Sequence, residues 1–396
     1  MSKKFIHIAF DSIFLDYTIE QFETIIPGNS QYFIDVPNTE YNIKHIKNVE
    51  KINTIVFNDP KIKDSFIRDL NNEHIVILHC LNQNMIDIVN KATSDNMFVW
   101  IVWGAEVNSL PLLSKNNYQP YTKRILKQIN NPSLKSILYQ KFPKFHQLLY
   151  KIKNGQIHPT VQKIKAINRI NYAGIFVKED FDIFNSTYHF NLKWLWYCYY
   201  NIEDTVGAEL PNINQSNNIL IGNSSNPTNN HIDAFHWLKE HELGNRKIFC
   251  PLSYGTDSTT YVENVIKEGT HLFGDNFVPL KDFLPLEKYN EILATCSLII
   301  MNQTRQQAVG NIITSLWNGA KLFLNEENPV YKHLIKIGVK VYSIQNNLCI
   351  SNQTILASLN EKDILDNRNV LMKYFSKNAV LDRTRQMIQT LWLNEN

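Results

Sequence analysis

The sequence predicts an α/β protein made of two successive Rossmann-like domains. Three observations lead there. Short β-branched apolar runs alternate with amphipathic stretches; the pattern pauses at the Asn/Ser-rich stretch Asn212–Asn218 and then restarts; and in both halves the runs end on polar or glycine residues. Strands alternating with helices argue for a mostly parallel sheet, whose ligands sit beyond the carboxyl ends of the strands. A chain of 396 residues suits two domains of ordinary size, and fractions of 44% hydrophobic and 19% charged residues are normal for a globular protein. The net charge of +3 implies no global polyelectrolyte partner. Five cysteines (80, 198, 250, 296, 349) have neither C-x-x-C nor zinc spacing and read as reduced core residues of a cytosolic protein. The start MSKKFIHIAFDS is broken at His7 and Asp11, too early for a signal peptide, and no run approaches the roughly 20 apolar residues of a membrane span.

Taken in order, Phe5–Phe10 reads as a buried strand ending at Asp11, followed by a helix over Asp16–Ile25. Short strands follow near Gln31–Val36 and Thr54–Phe57. Ile75–Leu78 ends at His79, and Phe98–Trp103 ends at Gly104-Ala105-Glu106. Asp11, His79 and Glu106 thus share one edge of the expected sheet and mark a cleft. Each has an ordinary alternative, a turn cap for Asp11 and a satisfied histidine for His79.

From Val107 to Lys178 the character changes: 72 residues hold thirteen Lys/Arg and no Asp or Glu. Pro111, Pro120, Pro132, Pro143 and Pro159 cut this segment into short helices, with Tyr118, Tyr121, Tyr139, Phe142, Phe145 and Tyr150 interleaved. A basic, aromatic-bearing amphipathic surface suits anionic lipid headgroups. It would also suit a phosphate backbone, but no nucleic-acid-binding module accompanies it. Tyr172–Val177 reads as a further strand. In Lys178-Glu179-Asp180-Phe181-Asp182 the Asp-x-Asp pair opens a helix, where acids complement the dipole, rather than forming a metal site. The aromatic run Asn191–Asn201 is expected to pack at the junction of the two halves, and Asn212–Asn218 to link them.

The second half opens with a strand at Ile219–Ile221 and the small-residue loop Gly222-Asn223-Ser224-Ser225-Asn226, which lets backbone approach a ligand closely. Lys247–Leu252 is the next strand, leading to Tyr254. A helix over Ser258–Glu268, a short strand at Thr270–Phe273, a loop Phe277–Leu280 containing Val278 and a helix over Leu286–Thr295 come next. The stretch Leu298–Pro329 then gives a strand (Leu298–Met301), a polar loop with Arg305 and Gln307, a helix opened by Gly310-Asn311 and closed by Asn318-Gly319, and a strand (Lys321–Asn325) ahead of Glu326 and Glu327. Free N–H groups at a helix start, the dipole and a guanidinium fork together form a diphosphate cradle. Val370–Leu393 is helical by its apolar spacing.

Four ordered blocks carry a resemblance: FVWIVWGAEV (98–107), LIGNSSNPTNNHIDA (220–234), CPLSYGTDSTTYVENVIKEG (250–269) and RQQAVGNIITSLWNGAKLFLNEENP (305–329). They resemble the 4-α-L-fucosyltransferase family, which moves N-acetylfucosamine from dTDP to a polyprenyl-diphosphate disaccharide. The similarity spans roughly residues 76–340 and is weakest over 107–170. It implies a GT-B fold, with two Rossmann-like domains facing across a cleft. Residues 1–205 would bind the acceptor, with 107–170 as a basic helical insert. Residues 212–375 would bind the donor, and 376–396 would form a helix packing back on the first domain. The chain departs from the family's W-G-A-D at Glu106, and has Asn229-Asn230-His231 where Asn-Glu-His is usual.

The resemblance implies a dTDP-sugar donor, a polyprenyl-diphosphate-linked glycan acceptor of an enterobacterial common antigen-like polysaccharide, and a peripheral place on the cytoplasmic face of the inner membrane. No cofactor and no metal are expected. Arg305, the Gly310-Asn311 helix start and the Gly222–Ser225 turn would meet the charge of the departing diphosphate. Glu106 is the first choice for the base, then His79, then Asp11. Gly222, Asn223, Ser224, Tyr254, Val278, Arg305, Gln307, Gly310, Asn311 and Glu327 are the expected donor contacts. No second positioned nucleophile is visible, which favours single displacement. Two rival readings are a glycosyltransferase using another nucleotide sugar for capsule or O-antigen and a GT-B nucleotide-sugar epimerase.

Overall fold

The computed structural model describes residues 3–93, 96–130, 142–206, 217–256, 258–348 and 353–393. Cys349, Pro132, Tyr139 and most of the expected linker (212–216) lie outside the described residues. Among the described residues, thirteen parallel strands form two sheets.

The first sheet contains β1 (Lys4–Phe10), β2 (Ser30–Asp35), β3 (Ile52–Ile55), β4 (His74–His79), β5 (Met97–Ile101), β6 (Tyr172–Gly174) and β7 (Lys193–Leu195), in the order β3-β2-β1-β4-β5-β6-β7. Its central strands are apolar on both faces. Val76 and Leu78 face one core with Ile6, Ile8, Phe98 and Trp100, while Ile75 and Ile77 face the other with Phe5, Val99 and Ile101. This two-sided burial is why the strands read as unbroken apolar runs. Helix Phe14–Ile25 supplies Phe22 to the second face, and the final helix, Lys377–Leu393, supplies Met387, Ile388 and Leu391.

The second sheet contains β8 (Asn218–Ile221), β9 (Ile248–Pro251), β10 (Phe277–Leu280), β11 (Cys296–Met301), β12 (Lys321–Leu324) and β13 (Tyr342–Ser343), in the order β10-β9-β8-β11-β12-β13. Ile219, Ile221, Leu298 and Ile300 form its core with Phe235, Leu238 and Val265 from the helices. Helix starts follow local chemistry. Asp59 before Pro60, Asn328 before Pro329, Ser258 and Asn360 each accept a backbone N–H of the first turn.

By packing, the chain divides into two units that are not contiguous in sequence. One contains 1–113, 134–201 and 377–396; the other contains 114–133 and 202–376. Helix Pro120–Asn130 belongs to the second unit because Ile125, Leu126 and Ile129 pack on its core. Asp233 fixes that helix, accepting the backbone N–H groups of Tyr121 and Thr122 at 2.9 and 3.0 Å and the Thr122 hydroxyl at 2.7 Å.

Several expected elements are corrected. Thr270–Phe273 is no strand but the last turn of helix Thr259–Phe273, whose Gly269 admits the Phe277 ring where a side chain would clash. Phe277–Leu280 is strand β10 rather than a loop, with Pro279 tolerated because the strand is an edge. The C-terminal helical stretch is two helices, Glu361–Phe375 and Lys377–Leu393, parted at Ser376. Apart from these corrections, the aromatic run after Asn191 supplies β7 and puts Leu195 and Tyr197 in the first unit's core.

Candidate functional site

In the second unit the loops after β8, β9 and β11 are tied together through Asn223. Its Oδ1 accepts from Gln307 Nε2 at 2.8 Å and from Gln303 Nε2 at 3.3 Å, and its Nδ2 donates to the Tyr254 hydroxyl at 3.4 Å. Thr228 joins the same network, donating to Gln307 Oε1 at 2.6 Å and accepting from Arg305 Nη2 at 3.3 Å. Gly222 makes the tight turn possible with φ of 72°; a Cβ there would lie 2.9 Å from His231 Nε2 and 3.0 Å from Asn229 Oδ1. Ser224, nearly buried, is held by Asn229, whose Nδ2 donates to the Ser224 carbonyl at 2.9 Å.

Beside this network lies a mostly apolar pocket of about 240 Å³. Asn223, Tyr254 and Asn311 line it together with Leu280, Phe283 and Tyr289. Asn311 Nδ2 donates to the Tyr289 hydroxyl at 3.2 Å. The volume is below the roughly 300–1,000 Å³ of whole-ligand pockets, so it fits one end of a larger ligand. Helix Val309–Trp317 starts here, one residue earlier than expected: Ala308 is its cap, in the left-handed region at φ 58° with no side-chain acceptor, and Gly310 and Asn311 lie inside the first turn. Strain of this kind in a residue with a Cβ is found preferentially at ligand-binding loops.

The structure therefore brings together Gly222, Asn223, Ser224, Tyr254, Arg305, Gln307 and Asn311. Val278 sits in edge strand β10 and does not line the pocket; Leu280, two residues on, does. Glu327 is exposed in the turn after β12. Sequence reasoning missed Gln303, Asn229 and Thr228, which orient the loops, and Phe283 and Tyr289, which wall the pocket. The clustering of Asn and Gln just past β8, β11 and β12 was the available signal.

In the first unit Asp11, His79 and Glu106 all follow strand carboxyl ends, as expected, with different surroundings. Asp11 binds a loop. It accepts the Tyr41 hydroxyl and the backbone N–H groups of Lys44, His45 and Ile46 at 2.7 to 3.2 Å. Burial works to raise its pKa, but these four donors outweigh it and leave the carboxyl below its ordinary value. His79 is buried with both ring nitrogens in hydrogen bonds, to His7 at 3.0 Å and to the Tyr199 hydroxyl at 2.9 Å, and burial holds its pKa down at about 3. That is the satisfied-histidine alternative, with no nitrogen left for a substrate hydroxyl.

Glu106 is 8% exposed, and its Oε1 accepts from Trp103 N at 2.8 Å and Trp100 Nε1 at 3.3 Å, while Oε2 accepts no hydrogen bond. Burial raises its pKa, and the tryptophan donors, its own backbone N–H and the Lys163 charge only partly offset that. The Cys80 thiol, pushed up to about 12 by burial and by this carboxylate, sits on a strained backbone at φ 75°. Asp180, in the first turn of helix Lys178–Tyr188, and Asp182, paired with Lys178 at 2.7 Å, form no metal site; among the described residues no group of three His, Cys, Asp or Glu is placed to hold an ion.

The fold is that of the GT-B class, and the family match makes the chain a glycosyltransferase. Solved structures sharing the fold include the Candida albicans trehalose-6-phosphate phosphatase N-terminal domain (TM-score 0.62, 10% identity, 99% of this chain and 97% of that one). The Escherichia coli trehalose-6-phosphate protein bound with UDP-2-fluoro glucose is equally similar (0.62, 9%, 98% and 99%). The Burkholderia multivorans α,α-trehalose 6-phosphate synthase scores 0.60 at 8% identity, covering 99% and 97%. Within the class the chain belongs to the 4-alpha-L-fucosyltransferase family, glycosyl transferase group 56, whose model matches residues 164–389.

Proposed function

We propose that this glycosyltransferase moves a deoxy-amino sugar of the N-acetylfucosamine kind from a dTDP carrier to a polyprenyl-diphosphate-linked glycan, as a peripheral protein on the cytoplasmic face of the inner membrane. The observation that carries the donor half is the apolar pocket adjoining the Asn223–Gln307–Thr228–Arg305 network. Tyr254 and Phe283 offer aromatic surface for a base at one end. Arg305 and the first N–H groups of helix Val309–Trp317 offer positive charge for a diphosphate at the other. Glu106 takes the proton of the acceptor hydroxyl through Oε2, a buried atom that the acceptor must reach and the one oxygen of the two candidate carboxylates that accepts no hydrogen bond.

The membrane half rests on helix Pro143–Asn154, which buries none of its residues. Phe145, Leu148 and Ile152 are 49–72% exposed and fall within a third of the helix circumference, with exposed Phe142 just ahead of the helix and Lys144, Lys151 and Lys153 around them. Among the described residues no helix is long and apolar enough to cross a membrane. A thermal-shift panel of dTDP, UDP, GDP and CMP tests the donor. The largest stabilisation is expected with dTDP, unchanged by chelator; a larger response to another nucleotide would move the enzyme to the capsule or O-antigen reading.

A further inference from the structure

A chain of hydrogen bonds in the first unit, buried at one end, finishes on a half-buried indole. Trp103 Nε1 donates to the Tyr199 hydroxyl at 2.7 Å, which lies 2.9 Å from His79 Nδ1; His79 Nε2 lies 3.0 Å from His7 Nδ1. An indole nitrogen can only donate, so Tyr199 accepts there and satisfies its own proton by donating to His79 Nδ1. His79 therefore carries its proton on Nε2 and gives it to His7 Nδ1. That leaves His7 with a proton on Nε2, where it has no hydrogen-bond partner. The His7 ring is instead clamped, stacked on Tyr32 at 4.7 Å and edge-on to Phe22 at 4.5 Å. Burial keeps both imidazoles neutral, each well below its ordinary pKa, so the direction of every bond is fixed across the working pH range.

Two histidines in the middle of an apolar sheet are a costly way to fill space that Leu or Val would fill as well. Their chain of bonds ends on the Trp103 indole. Phe10 and Phe14 brace it at 4.9 and 5.0 Å, and both are half-buried at the same carboxyl edge of the sheet. The backbone N–H of this tryptophan also holds Glu106 Oε1, so the ring and the carboxylate with its unpartnered Oε2 are set by one loop.

We propose that the indole of Trp103 is the platform on which a pyranose ring of the acceptor stacks, with Tyr199, His79 and His7 as the positioning strut behind it. The face of an aromatic ring is electron-rich and attracts the weakly positive C–H bonds of a sugar's apolar face. Residues that do not touch the sugar then set where its hydroxyl lies relative to Glu106. The inference rests on the transferase reading above.

Three variants test it, assayed with a geranyl-diphosphate-linked disaccharide as acceptor. Trp103→Ala should raise the acceptor KM at least about tenfold with kcat changed less than about threefold. Trp103→Phe, which keeps a ring face but loses the N–H, should recover most of that loss. His79→Gln should raise the acceptor KM by an intermediate factor while the dTDP-induced thermal shift stays that of the parent. A Trp103→Ala enzyme with the parent's acceptor KM overturns the platform, as does one that loses kcat and donor response together. Saturation-transfer NMR of the free disaccharide supplies a reading independent of turnover: signal with the parent and none with Trp103→Ala supports the proposal, and equal signal overturns it. If dTDP stabilises the parent but the glycan never binds, the platform fails and the donor reading stands.

Discussion

Glu106 sits in a conflict that its surroundings only partly resolve. Burial pushes the carboxyl toward its neutral form, while two donors on Oε1 favour the charged one. With the folded pKa raised above that of the unfolded chain, this group's contribution to stability is full below the unfolded value of about 4.3 and is lost as pH rises through the folded value. Glu106→Gln should therefore gain in Tm relative to the parent on going from about pH 4 to about pH 8. It should also abolish transfer while leaving the dTDP response intact. In the parent, activity should fall on acidification with a midpoint above the ordinary carboxylate range, because the base must be ionised. Arg305→Ala should lose about 10²–10³ in kcat at saturating donor, the usual cost of removing one charge-stabilising group. Such residues were legible in the sequence because they follow strand ends or sit beside a glycine turn. The environments that sort them were not: that His79 spends both nitrogens and Asp11 both oxygens depends on His7, Tyr199, Tyr41 and His45, which come from distant stretches.

At the scale of elements, helix Pro143–Asn154 carries the clearest test. Leu148→Asp with Ile152→Asp should abolish sedimentation with phosphatidylglycerol vesicles and leave turnover of a short-chain, soluble acceptor unchanged. Sedimentation that survives both charges would remove this helix from the membrane reading. Helix Pro120–Asn130, from the same basic segment, serves a different end, because its apolar residues complete the second unit's core. Asp233→Ala leaves two backbone donors and the Thr122 hydroxyl without their acceptor and should cost about 1–3 kcal/mol, read as a lower Tm. Central strands such as β4 and β11 were legible because burial on both faces leaves a continuous apolar run. Edge strands β7 and β10 were not, since one holds Trp194 between Lys193 and Leu195 and the other holds Pro279. Periodicity also cannot see a break such as Ser376, where apolar spacing continues on both sides.

For the molecule as a whole, the alternation of strands and helices was enough to give two parallel sheets, and ordered motif blocks gave the family. What the pattern could not give is the place of helix Pro120–Asn130 in the second unit, because that depends on which core a helix reaches and not on its own composition. The final helix lays Met387, Ile388 and Leu391 against Phe5 and Phe22, and the Thr384 hydroxyl donates to Gln21 Oε1 at 3.0 Å. During synthesis the β1–β7 sheet must therefore wait, one face covered only in part by helix Phe14–Ile25, while the whole second sheet is made and folds. A chain stopped after Ser376 should retain dTDP-induced stabilisation of the later-made unit yet be cut rapidly by protease in the earlier one. The oldest part of the nascent protein is the last to be sealed.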